Sequence, residues 1–123
     1  MSRTAASIAA AAAVLVAAST AAARPATPPT LHGTVGPGFT ISLTQNGKRV
    51  THVKPGSYRL VVADRSNLHN FVLEKSHGGS FERQITTVPF TGTKAIMVKL
   101  TAGEWEFYCR PHESTMHGDL TVG

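Results

Sequence analysis

Apolar and polar side chains alternate in short runs bounded by turn residues through most of the chain, and no stretch of useful length holds a helical period. Phe39-Thr40-Ile41-Ser42-Leu43 alternates, Asn46-Gly47 is a strong hairpin signal, and residues 50–53 continue the alternation, so these two runs are predicted to pair. Pro55-Gly56 makes the next turn. Residues 58–62 and 71–73 then bracket the segment 64–70, which delivers His69 to a strand entrance. The polar, glycine-containing segment 74–86, with Ser76-His77-Gly78-Gly79-Ser80, reads as a loop holding at most one helical turn. Residues 94–100 and 104–109 are strands joined at Thr101-Ala102-Gly103, and residues 118–122 form the closing strand. The pattern contains no internal repeat. It predicts an all-β fold of about eight short strands, a two-sheet sandwich or barrel with Greek-key connections.

The N-terminus has a different character. Ser2-Arg3 supply a positive start, residues 5–18 are Ala-rich with Ile8, Val14, Leu15 and Val16, and Ala21-Ala22-Ala23 offers a cleavage site of small residues. The apolar run falls short of the roughly 20 residues that span a bilayer. Residues 1–23 are therefore expected to be a secretory signal peptide, residues 24–30, with Pro25, Pro28 and Pro29, an extended leader, and residues 31–123 the folded domain. Export implies a periplasmic or extracellular protein with no stable membrane insertion once the signal is cleaved. A domain of this size buries one core of two layers and leaves no room for a separate catalytic domain.

The formal net charge is +5 over the whole chain. Its basic residues, among them Lys48, Arg49, Lys54, Arg59, Arg65 and Lys99, are scattered and form no dense run of the kind that neutralises phosphates, so nucleic acid is excluded as a partner. A mildly basic surface instead predicts steering toward acidic protein partners by a chain that is itself monomeric.

Cys109 is the only cysteine, unusual for a chain expected to enter an oxidising compartment. It ends a predicted strand, His112 follows three residues on across a turn stiffened by Pro111, Met116 lies further along the same loop, and His69 comes from the distant segment 64–70. Thiolate, thioether and two imidazoles together make a soft metal site. That donor set matches a mononuclear copper centre with two His and one Cys in a trigonal plane and a weak bond to Met on the axis. His32, His52 and His77 lack such a context and are expected to be solvated.

The run Phe107-Tyr108-Cys109-Arg110-Pro111-His112, followed by Met116-His117-Gly118-Asp119-Leu120-Thr121-Val122, closely resembles the end of plastocyanin and related cupredoxins, and His69-Asn70 resembles their upstream ligand. The likeness extends more weakly through Pro55-Gly56-Ser57-Tyr58 and residues 64–73. The resemblance implies one type 1 copper ion held by His69, Cys109 and His112, with Met116 as the weak axial ligand. Plastocyanin-like loops place one more residue before the Met, which puts His117 at that spacing. Azurin-like proteins have the shorter gap, and Met116 keeps the offset from the final glycine; Met116 is thus favoured, with His117 the alternative.

The resemblance further implies that Asn70 ties the His69 segment to the Cys109 loop, that Pro111 supports that loop, and that electrons pass through the edge of His112, with Tyr108 a second route. The implied function is a single-electron carrier between redox proteins. An oxidase or reductase would need further histidines, commonly as His-x-His, and this chain has none. Copper storage or delivery is the alternative, although such sites favour Met and His without a thiolate.

Overall fold

The computed structural model describes residues 1–2, 4–20 and 26–123. The expected cleavage site at Ala21-Ala22-Ala23, together with Arg24 and Pro25 of the leader, lies outside the described residues. Ile8, Val14, Leu15 and Val16 are exposed, and among the described residues no helix is long and apolar enough to cross a membrane.

Ten strands stand among the described residues: β1 (Thr30–Val35), β2 (Ile41–Gln45), β3 (Lys48–Arg49), β4 (His52–Val53), β5 (Gly56–Asp64), β6 (Val72–His77), β7 (Phe81–Gln84), β8 (Gly92–Leu100), β9 (Gly103–Tyr108) and β10 (His117–Val122). They form two five-stranded sheets, β3-β2-β1-β5-β8 and β4-β10-β9-β6-β7. Most neighbours are antiparallel, but β1 runs parallel to β5 and β4 parallel to β10. Residues at alternate positions, such as Tyr58, Leu60 and Val62 of β5, are buried between the sheets, as two-fold pleating requires.

Two features differ from the sequence pattern. The hairpin at Asn46-Gly47 forms, with Asn46 at φ 51° and Gly47 at φ 76°, but its return strand β3 spans only Lys48–Arg49. The Val50 amide still donates to the Leu43 carbonyl (3.1 Å), but the chain then leaves the first sheet and β4 pairs with β10 in the second, so residues 51–53 do not continue the hairpin. The segment 74–86 is not a loop: β6 and β7 pair from Val72↔Gln84 to Lys75↔Phe81 and turn at Gly78-Gly79. Because β7 is an edge strand, Glu82, Arg83 and Gln84 are exposed, and their polarity mimics a loop. The additional strands also raise the count from eight to ten.

One aromatic layer lies where the sheets close beneath the loops. Phe71 and Phe107 stack with ring centroids 5.9 Å apart and planes within 1° of parallel. A Cβ on Gly118 would collide with the Phe107 ring, and one on Gly33 would fall 2.8 Å from Cε2 of Phe71. Both glycines are required by close approach: they give the stacked pair its space.

Candidate metal centre

Four connections meet at one end of the sandwich: 36–40 between β1 and β2, 65–71 between β5 and β6, 85–91 between β7 and β8, and 109–116 between β9 and β10. His69 arrives through two successive side-chain turns. The Ser66 amide donates to Asp64 Oδ1 (3.1 Å), and the Leu68 amide donates to Ser66 Oγ (3.2 Å). Beyond His69, the Phe71 amide donates to Thr86 Oγ1 at 2.9 Å, and the Ile85 amide to the Phe71 carbonyl at 2.8 Å. Thr86, fully buried, thus anchors the segment where a regular strand partner is lacking.

The 109–116 connection closes on itself. The Cys109 amide donates to the Met116 carbonyl (3.0 Å), the His112 amide to the Cys109 carbonyl (3.1 Å), and the Met116 amide to the His112 carbonyl (2.8 Å). Residues Arg110–His112 form a single 3₁₀ turn with Pro111 inside it, where the fixed φ of proline suits the geometry and its missing N–H is not needed.

These segments bring His69, Cys109 and His112 together. The two Nδ1 atoms lie 3.1 Å apart, and Cys109 Sγ is 3.7 Å from each. Cys109 and His69 are buried, and His112 is partly exposed. Two imidazole nitrogens and a thiol converging in one sheltered spot suit a soft divalent or monovalent transition metal. Met116 is fully buried in the same hydrophobic cluster as Cys109. His117 is exposed on β10, its Nδ1–H donating to the Glu113 carbonyl at 2.7 Å, and it lines a groove with Ser42, Arg49 and Asp119 between the sheet edges.

Asn70, almost fully buried, links the two halves: its Oδ1 accepts the Arg110 amide at 2.8 Å. The residues on either side of Cys109 are held by β7. Tyr108 donates its hydroxyl to Glu82 Oε1 (3.0 Å), and Arg110 pairs with the same carboxylate while its Nη1 donates to Gln84 Oε1 (3.2 Å). Burial, and next the hydrogen bond to Glu82, push the Tyr108 phenol above its ordinary pKa.

Phe39 was legible only as a strand residue, yet its ring packs edge-on against both imidazoles, with centroids 5.3 Å from His69 and 5.0 Å from His112. Together with Leu68 it is an exposed apolar side chain at this end of the molecule, each 66% accessible. No spacing in the sequence signals that contact, because it joins loops 30 and 73 residues apart.

A family model described as copper binding proteins of the plastocyanin/azurin family matches residues 42–123. Similar solved structures include a reduced amicyanin variant (TM-score 0.52, 15% identity, covering 80% of this chain and 86% of that one) and a rusticyanin variant (TM-score 0.54, 17% identity, covering 80% of each). None of the curated proteins matches the chain by sequence.

Proposed function

This chain belongs to the plastocyanin/azurin family of copper-binding proteins, and from that premise we propose that it is an exported, single-domain blue copper protein that carries single electrons between redox partners. The observation that carries the reading is the convergence of His69 Nδ1, His112 Nδ1 and Cys109 Sγ within 3.7 Å of one another at the loop end of a stiff sandwich. In this reading His69, Cys109 and His112 are the strong ligands and Met116 the weak one. The burial of Met116 beside Cys109 supports that choice, as does the exposure of His117, whose Nδ1 already donates to a carbonyl.

Copper, when bound, supplies a one-electron Cu(I)/Cu(II) couple. The protein's part is to hold the donors and keep water from them. Cys109 is fixed by its amide bond to the Met116 carbonyl, and its neighbour Arg110 by Asn70. His69 is fixed by the Asp64–Ser66–Leu68 turns before it and the Thr86 anchor after it. Held in this way, the donors rearrange little as the oxidation state changes. The partly exposed edge of His112 is the electron port, bordered by Phe39, Leu68 and Pro111, and Tyr108 is the second route. No substrate is transformed. Residues 1–23 direct export to the periplasm or beyond, and the carrier is monomeric with acidic redox partners.

The test is the colour of the copper-loaded protein. A thiolate-to-Cu(II) charge-transfer band should make it intensely blue, and Cys109→Ser should abolish the band while Met116→Gln shifts it and His117→Ala leaves it unchanged. A colourless Cu(II) form overturns the type 1 reading, and a spectrum that responds to His117→Ala but not to Met116→Gln overturns the axial assignment.

A further inference from the structure

The scattered charges of the sequence are sorted by the fold. The strands of the first sheet carry Lys48, Arg49, Arg59, Lys94 and Lys99, and among the described residues their only carboxylate is Asp64, which is buried. The strands of the second sheet carry Glu74, Glu82, Glu104, Glu106 and Asp119 against two cations, the buried Lys75 and the exposed Arg83. Four of these carboxylates, Glu82, Glu74, Glu106 and Asp119, stand opposite one another in a cross-strand row, an arrangement that costs stability. The molecule therefore has one acidic face and one face with no exposed carboxylate.

On the outer side of the first sheet Arg59 pairs with Met97, and one step further Ser57 pairs with Lys99. Met97 is 52% exposed between these cations, and small residues Ala63 and Ala95 continue the surface. The five strands make this face about 20 Å wide at ~4.8 Å per strand. Arg59 lies five residues from the Asp64 end of β5, roughly 16 Å from the loops that hold His69 and Cys109. A partner seated on it leaves the His112 edge free. β1 enters the domain at this face, since its first residue, Thr30, pairs with Arg59.

We propose that this face, centred on Arg59, Met97 and Lys99, docks on the surface of an anionic phospholipid bilayer and holds the carrier there with its loop end free. A planar field of negative charge attracts this side, repels the acidic sheet opposite, and so orients the whole molecule. Met97 supplies the apolar contact that an interfacial surface accepts. This interaction is independent of copper.

The experiment is co-sedimentation of the full chain with vesicles of phosphatidylcholine alone and of phosphatidylcholine mixed with phosphatidylglycerol, at low ionic strength. The N-terminal segment, with Arg3 and Arg24, is present in wild type and variants alike, so the part of the anionic-lipid gain that the variants lose is the measured quantity. A gain of at least about tenfold is expected from two or more basic residues near the surface, and high salt should abolish it. The charge-reversed variant R59E/K99E, and the milder R59Q/K99Q should the first fail to fold, should lose the gain with an unchanged far-UV circular dichroism spectrum. Equal partition into both vesicles, or a wild-type gain in the folded R59Q/K99Q variant, overturns the proposal. So does salt-sensitive binding to polyglutamate without any gain on anionic vesicles, which points to an acidic protein instead.

Discussion

Replacing Thr86 by Val isolates one hydrogen bond on which the position of His69 depends. The two side chains are nearly equal in volume, so no cavity opens, but the hydroxyl that accepts the Phe71 amide at 2.9 Å is lost. Both residues are fully buried, which leaves the amide without a partner or water. An orphaned buried donor costs about 1–3 kcal/mol, and we take ~2 kcal/mol as the expected loss. For a domain near 100 residues that corresponds to a fall in Tm of roughly 8–16 °C. Thr86→Ser keeps the acceptor and loses one methyl, for about 1 kcal/mol. Urea unfolding of the copper-free protein measures both, with unchanged m-values as the sign that the unfolded state is the same. A Thr86→Val protein within ~0.5 kcal/mol of wild type would refute the reasoning, since it would mean that the amide finds another partner at no cost.

Two further outcomes follow from packing and charge. Gly118→Ala drives a methyl into the Phe107 ring, and the forced shift of the stacked pair should cost about 2–3 kcal/mol in urea unfolding while broadening the copper absorption band. Glu106 has a pKa raised first by burial and next by the nearby Glu113 carboxylate, so the fold disfavours its ionised form. Its ionisation therefore costs stability as pH rises above the ordinary value of 4.5 and through the raised value in the folded protein. Glu106→Gln should raise Tm at neutral pH and have no effect on it below that ordinary value; a gain that persists in acid contradicts the assignment.

Much of the site was legible because its signals are local. The three residues from Cys109 to His112 and the four from His112 to Met116 are fixed by the chain itself, and the turn that joins them is closed by its own backbone hydrogen bonds. The alternation in 58–62 likewise reflects one strand with one buried face. What escaped the sequence depends on distant partners. Residues 50–53 have the same period whether they complete a hairpin or cross to β10, and only the second sheet decides between them. The β6–β7 hairpin looks polar because β7 has a free edge, so nothing requires an apolar stripe there. Phe39 and Thr86 have ordinary roles in local pattern and acquire their importance only when the loops at one end are brought together.

The direction of the outermost strands in chain order has a consequence for how such a domain can be joined to others. β1 starts and β10 finishes at the end of the sandwich remote from His69 and Cys109: β1 runs parallel to β5 toward the 36–40 connection, and β10 leaves the 109–116 connection and ends opposite Gly103. A polypeptide joined directly before Thr30 or after Val122 therefore emerges away from the His112 edge. The domain can be strung into a longer chain, or carry a tag or a second redox module at both ends, without its exchange surface being covered.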